Sequence, residues 1–208
     1  MMTESIYGLY EPRLYEILET ISAYIKKVNQ TTKEETGQKL YEHFLGRVKT
    51  SDSMRDKCRR KGLAETTESA LKEIRDSIGL RIVCGFVEDI YRTVALLKQM
   101  PGLSVCNEKD YITSAKPNGY RSYHMIVEME VPFSDCYGQT PGRYFVEIQL
   151  RTIAMDSWAA LEHQLKYKQS IKNPERIVKE LKRCADELAS CDLTMQTIRN
   201  LIRESGGE

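Results

Sequence analysis

The sequence predicts an α+β domain: a mixed β-sheet flanked by helices, with a long helix near each end of the chain. Three observations carry this reading. Residues 120–131 and 143–151 alternate apolar and polar side chains with period two, as strands buried on one face do. The run LRIVCGF at 80–86 is almost wholly apolar, which marks a buried strand. Residues 11–29 and 174–204 place apolar side chains in steps of three and four, the helical period.

Each element follows in order. Leu14, Ile17, Ile21, Tyr24 and Val28 make one face of a first helix, with Pro12 in its opening turn. Thr31–Gln38 reads as a polar connector, and LYEHFLGRV at 40–48 as a short strand. Thr50, Ser51 and Asp52 are all good capping types, so a basic helix starts there and runs to about Arg60. After the strand at 80–86, VEDIYRTVALLKQM is a helix stopped by Pro101 and Gly102. Residues 103–112 form a further strand, and Lys116-Pro117-Asn118-Gly119 is a turn by composition. The two alternating strands come next, joined by a loop holding Gly138, Pro141 and Gly142. Thr152–Lys168 is helical, and Asn173-Pro174 caps and opens the last helix. The expected organisation is an N-terminal helical segment at 1–39, a central domain at 40–170 and a C-terminal helix at 171–208.

The last helix carries Ile177, Leu181, Cys184, Leu188, Cys191, Met195, Ile198 and Ile202 in alternating steps of four and three. This is an a/d seam. It either packs on the chain's own sheet and first helix or pairs with another subunit.

Composition narrows the function classes. The chain has 208 residues, 41% hydrophobic and 29% charged, enough for about one globular domain with an extension. No apolar run approaches the ~20 residues that cross a bilayer. The opening MMTESIYGLYEPRLYE is acidic and lacks an apolar leader core, so no membrane role is expected and the cytoplasm is the expected location. A net charge of +1 argues against a whole-surface nucleic-acid binder. Six cysteines form no C-x-x-C pair and the three histidines are far apart in sequence, which argues against a zinc cage. There is no P-loop, no G-x-G-x-x-G, no H-E-x-x-H and no G-x-S-x-G. No histidine is followed by aspartate, so the His-Asp dipeptide of metal-dependent phosphohydrolases is missing.

Three features carry chemistry. RVKTSDSMRDKCRRK at 47–61 holds seven basic residues against two acidic ones, in a protein of nearly zero net charge. It spans a strand end and a helix N-terminus, the parts that hold polyphosphates. The alternating strands collect Tyr120, Ser122 and His124 with Glu147, Gln149 and Arg151 on one sheet face. Asp76, at the mouth of the buried strand, pairs with Glu147 as a candidate Mg²⁺ site, since Mg²⁺ favours one or two carboxylates plus substrate phosphates.

Five stretches occur in a familiar order: Asp76-x-x-Gly79-x-Arg81, Lys109-Asp-Tyr-Ile, Lys116-Pro-Asn-Gly-Tyr-Arg-Ser-Tyr-His124, Val146-Glu-Ile-Gln-Leu-Arg-Thr152, and Trp158 with Leu161-Glu-His163. Together they resemble the synthetase domain of the RelA/SpoT family over about residues 40–168, in its small single-domain form. The resemblance implies a nucleotidyltransferase-like sheet. It implies transfer of pyrophosphate from ATP to the ribose 3′-OH of GDP or GTP, possibly GMP, giving the alarmone (p)ppGpp and AMP. It implies that Asp76 holds Mg²⁺ and that Glu147 also binds the metal or takes the 3′-OH proton. Arg47 and Arg81 would sandwich adenine, Lys57 and Arg59 would contact the ATP phosphates, and Lys49 would also bind ATP. Tyr120 would stack on guanine, and Lys109, Lys116 and His124 would hold the acceptor's phosphates. Asp156 or Glu162 would accept from guanine's donor edge. Lys109 stands where some members have Arg, and Asp156 where some have Asn. Small members are often tetramers built through terminal helices, and some are tuned by (p)ppGpp or single-stranded RNA. Two other readings stay open: a pyrophosphokinase acting on an adenosine nucleotide or a tRNA 3′ end, and a non-catalytic nucleotide- or RNA-binding regulator.

Overall fold

The computed structural model describes residues 4–167 and 174–205. A single turn at Gly8–Tyr10 leads into helix α1 (Glu11–Thr36). Then come β1 (His43–Val48), α2 (Ser51–Lys61), a π-helical turn at Ser69–Glu73, β2 (Ile78–Cys84) and α3 (Val87–Leu97). Strands β3 (Leu103–Asp110), β4 (Tyr123–Val131) and β5 (Gly142–Thr152) precede helices α4 (Ile153–Tyr167) and α5 (Pro174–Ser205). The sheet order is β1-β2-β5-β4-β3. Only β2 and β5 run parallel; the other neighbours are antiparallel, so the sheet is mixed.

Period-two alternation built the sheet as expected. Met125, Val127, Met129, Val146, Ile148 and Leu150 are buried in one core with Ile78, Leu80 and Ile82 of β2. Leu14, Ile17, Ile21 and Ile25 of α1 join the same core. The opposite sheet face is mostly polar and open, except at the end where Val83 and Arg151 are buried.

Several boundaries differ from the sequence reading. Helix α1 runs through Thr31–Glu35 instead of ending before them. Thr32 is still buried against the body, so the last turns keep a packed face despite their polarity. Gly37, at φ 71°, stops the helix and donates its N–H to the Lys33 carbonyl. Strand β2 starts at Ile78, two residues early, because Ile78 is already paired with both Val48 and Val146. Strand β4 starts at Tyr123, not 120; Tyr120–Ser122 belong to the preceding turn, and Ser122 is tied instead to the Leu150 carbonyl. The basic helix begins as capping chemistry requires, with Thr50 accepting from the Ser53 N–H.

Helix α5, about 48 Å long, docks through a stripe the heptad did not mark. Ala185 seats against Gly119, whose φ of +90° and closeness to Ala185 leave no room for a Cβ. Asp192 accepts from Thr152 at 2.6 Å. Arg199 clasps Asp89 through two bonds of 2.6 and 2.8 Å and also reaches Gln38. Arg203 bonds Gln38 and Glu88. Of the seam itself, Ile177, Leu181 and Leu188 are half-buried, while Met195, Ile198 and Ile202 are 53%, 45% and 66% exposed. The C-terminal half of the seam therefore faces away from the chain's own body, because the polar clasp sets the helix rotation. The Asn173 cap and the 170/171 boundary lie outside the described residues.

Candidate active site

The register puts the functional face in order. One row across the sheet reads Asn107, Ile126, Glu147, Gly79 and Arg47, from β3 to β1. The next reads Lys109, His124, Gln149, Arg81 and Leu45. Two cavities open on this face. One, of about 190 Å³, is lined by Leu45, Arg47, Lys49, Asp76, Arg81 and Glu147 among others. The other, of about 260 Å³, is lined by Arg75, Lys109, Tyr111, Lys116, His124 and Glu147 among others. Glu147 lines both.

In the first cavity Asp76 is the charge centre. Its Oδ2 takes Lys49 Nζ at 2.6 Å and also the Lys57 ammonium. Its Oδ1 is buried without a hydrogen-bond partner. Burial alone would raise the Asp76 pKa, but the two ammonium groups outweigh it and hold the carboxyl below its ordinary range. Burial also pulls the Lys49 ammonium down, against the pull of Asp76.

The lysines are placed from behind by the N-terminal segment. Tyr7 is fully buried and its hydroxyl donates to the Lys49 carbonyl at 2.8 Å. The Ile6 N–H donates to Ser51 Oγ at 2.9 Å, and Arg55 donates to the Glu4 carbonyl at 2.8 Å. The β1–α2 junction is thus stitched to residues 4–7.

The second cavity is aromatic and cationic. Backbone bonds close the turn before β4: Lys116 N–H donates to the Tyr120 carbonyl and Gly119 N–H to the Lys116 carbonyl. The Tyr120 hydroxyl meets His124 Nε2 at 2.8 Å and accepts from Arg151 at 2.8 Å. Arg151 is buried, and also donates to Asp156 and Gln149. Trp158 stands edge-on to Tyr120. Burial, reinforced by the charges of Arg151, Lys116 and Lys109, pushes the His124 pKa down to about 4, so the imidazole is neutral near pH 7.

Most sequence-assigned residues converge here. Arg47, Lys49, Asp76, Arg81 and Glu147 share the first cavity; Lys109, Lys116, His124 and Glu147 share the second. Lys57 joins through Asp76, and Tyr120 through His124. Asp156 lies 3.5 Å from Arg81 and 2.9 Å from Arg151. Glu162 accepts from Asn118 in the turn at 3.4 Å. Arg59 is not brought in: its guanidinium pairs with Asp56 and Glu65, as its place two residues from Lys57 on a helix dictates.

Alternation placed Arg151 on the functional face, but its role as the hub holding Tyr120 was not legible. Tyr7 gave no signal, because it acts across 42 residues of chain. Among the described residues no group of three His, Cys, Asp or Glu side chains is placed to hold a metal. The carboxylates available are Asp76, with its orphaned Oδ1, and Glu147. That set suits an ion that takes its remaining ligands from phosphates and water.

Comparison with known proteins gives a consistent result. A profile for the region found in RelA / SpoT proteins matches residues 46–172. The GTP pyrophosphokinase YwaC of Bacillus subtilis is 41% identical over 166 residues, covering 80% of this chain and 77% of that protein. The crystal structure of small alarmone synthetase 1 from Bacillus subtilis bound to its product pppGpp superposes with a TM-score of 0.77 at 33% identity, covering 91% of this chain and 94% of the other. The same synthetase bound to AMPCPP superposes at 0.73 and 30% identity, covering 94% and 96%. No helix among the described residues is long and apolar enough to cross a membrane.

Proposed function

The chain belongs to the RelA/SpoT family, and on that premise we propose how its two cavities carry out (p)ppGpp synthesis. The protein is a GTP pyrophosphokinase: it moves pyrophosphate from ATP to the 3′-OH of a guanosine nucleotide and releases AMP. The observation that carries the division of labour is that Glu147 lines both cavities, and therefore stands where two bound nucleotides meet.

ATP takes the cavity of Arg47, Lys49, Asp76 and Arg81. The guanidinium planes of Arg47 and Arg81 hold the adenine, beside the exposed Leu45. Lys49 and Lys57 leave Asp76 for the phosphates, which offer them more negative charge. Asp76 and Glu147 would hold Mg²⁺, which would neutralise the phosphate charge that builds up during transfer. Arg59 has no part in this arrangement.

The acceptor takes the other cavity. Tyr120, pinned by Arg151 and His124, stacks the guanine, and Asp156 or Glu162 accepts from its N1–H and N2–H₂ edge. Lys109, Lys116 and neutral His124 hold the 5′-phosphates. Glu147 accepts the 3′-OH proton as the oxygen attacks the β-phosphorus; the bond from that phosphorus to the α-phosphate oxygen breaks, and AMP leaves. Positioning and charge neutralisation supply the rate, with no covalent intermediate on the protein.

We further propose that the exposed half of the α5 seam pairs with α5 of another copy. Met195, Ile198 and Ile202 lie on it in heptad register, and Leu193 and Leu201 beside them are 68% and 56% exposed.

The test mixes protein, Mg²⁺ and ATP with GMP, GDP, GTP or ADP, and resolves products by anion exchange with mass detection. The expected result is AMP together with a guanosine nucleotide gaining two phosphates. AMP formed only with ADP would move the acceptor to an adenosine nucleotide. No AMP with any acceptor would overturn the reading.

A further inference from the structure

The place assigned to the guanine is already taken. Two cations lie against the Tyr120 ring: the Lys116 ammonium at 4.8 Å from its centroid and the Arg151 guanidinium at 5.3 Å. They are held differently. Arg151 is buried and fixed by Asp156, Gln149 and the Tyr120 hydroxyl. Lys116 is exposed, and its ammonium also lies 4.6 Å from the Tyr111 centroid. Tyr111 and Tyr120 stand edge-to-face, 6.2 Å apart, and form two walls around the cation. The closed turn keeps the Lys116 backbone beside Tyr120, so only the flexible stem can carry the ammonium elsewhere.

We infer that Lys116 is a specificity-determining gate: in the free protein its ammonium covers the Tyr120 face on which the guanine would stack, beside Tyr111, and the acceptor's 5′-phosphates draw it out. This rests on the acceptor-site reading above. Tyr111 and Lys116 line one part of the acceptor cavity, and the part lined by Lys109 and Arg75 supplies the destination. A phosphate group seated there offers Lys116 a charge-assisted contact stronger than two exposed cation–π contacts. A nucleoside without phosphates offers nothing in exchange and must expel the ammonium into water. Base stacking is thereby coupled to the presence of phosphate, and the enzyme selects against unphosphorylated guanosine as well as for nucleotides.

A residue that merely contacts phosphate and one that also blocks the stacking place differ in sign toward the nucleoside. Equilibrium dialysis with labelled guanosine and labelled GDP, on wild type and Lys116→Ala, separates them. The substituted side chain is exposed, so the fold is not at risk. Expected is a crossing: Lys116→Ala binds GDP about tenfold more weakly and guanosine about fivefold more tightly than wild type. If GDP weakens while guanosine binding is unchanged or weaker, the gate is refuted and the acceptor site stands. If wild type binds no GDP, the acceptor-site reading falls and the gate with it.

Discussion

Glu147 of β5 stands directly across from Gly79 of β2 in the parallel register, with Arg47 beyond it on β1. A Cβ built on Gly79 meets nothing within 4 Å. The missing side chain therefore leaves open space beside Glu147, in the cavity assigned to ATP. Gly79→Val should fold with a melting temperature close to wild type and lose at least about 100-fold in turnover, because sub-ångström placement governs such transfers. Thermal melts and AMP release measured together check this; a fully active variant would show that the space is not used.

The roles of the carboxylates separate on substitution. Glu147→Gln keeps the size and the contact with Gln149, but cannot take a proton. Its kcat should fall by about 10²–10⁴ while binding of the acceptor nucleotide persists. Asp76→Asn should instead weaken Mg²⁺-dependent ATP binding, read by calorimetry with and without the metal. Equal turnover in both variants and wild type would refute these assignments.

The hydroxyl of Tyr7 bears on ATP without touching it. Tyr7→Phe preserves the buried ring and deletes only the bond to the Lys49 carbonyl, a loss of about 1 kcal/mol. The expected effect is a rise of about threefold to tenfold in KM for ATP, with KM for the acceptor unchanged. A parallel rise in both constants would mean general loosening instead.

Asp135 anchors the β4–β5 loop from a fully buried position, accepting from Lys72 at 2.6 Å and from the N–H groups of Tyr137 and Gln139. Burial alone would raise its pKa, but Lys72 and the two N–H donors outweigh it and hold the carboxyl below its ordinary value. A depressed folded-state pKa contributes stability above the unfolded value, and that contribution is lost as pH falls through the folded one. Asp135→Asn should cost about 3 kcal/mol at pH 7. The gap from wild type should narrow as pH falls below about 4. Denaturant melts across that range test the sign; a constant gap would contradict it.

The seam on α5 makes a mass prediction. Replacing Ile198 and Ile202 by Glu puts charge on the exposed stripe and spares the Arg199 and Arg203 clasp. Light scattering should then report a smaller assembly than wild type, with the melting temperature of the dissociated chain little changed. An unchanged mass would remove α5 from the interface.

Local pattern alone specifies a good deal of this fold. Period-two alternation decided which faces of β4 and β5 are buried, since adjacent strand residues point to opposite sides whatever the rest of the chain does. Capping chemistry at Thr50 decided where α2 begins. The motifs named the family, and with it Asp76, Glu147 and Tyr120. Errors fell where tertiary contact outweighs local preference. The polar turns at Thr31–Glu35 are helical because one of their faces is packed, and Tyr120 left its strand for a turn whose bonds run to residue 116.

What the sequence determined by itself is therefore the element order, the buried faces and the chemical types at the site, because these depend on neighbours a few residues away. Only the tertiary structure decided that Glu147 lines both cavities, that Tyr7 braces Lys49, that Arg59 turns outward, and that Lys116 rests between two rings. Those relationships join residues distant along the chain or depend on how side chains share space. A pattern with a period of two or 3.6 carries no information about either.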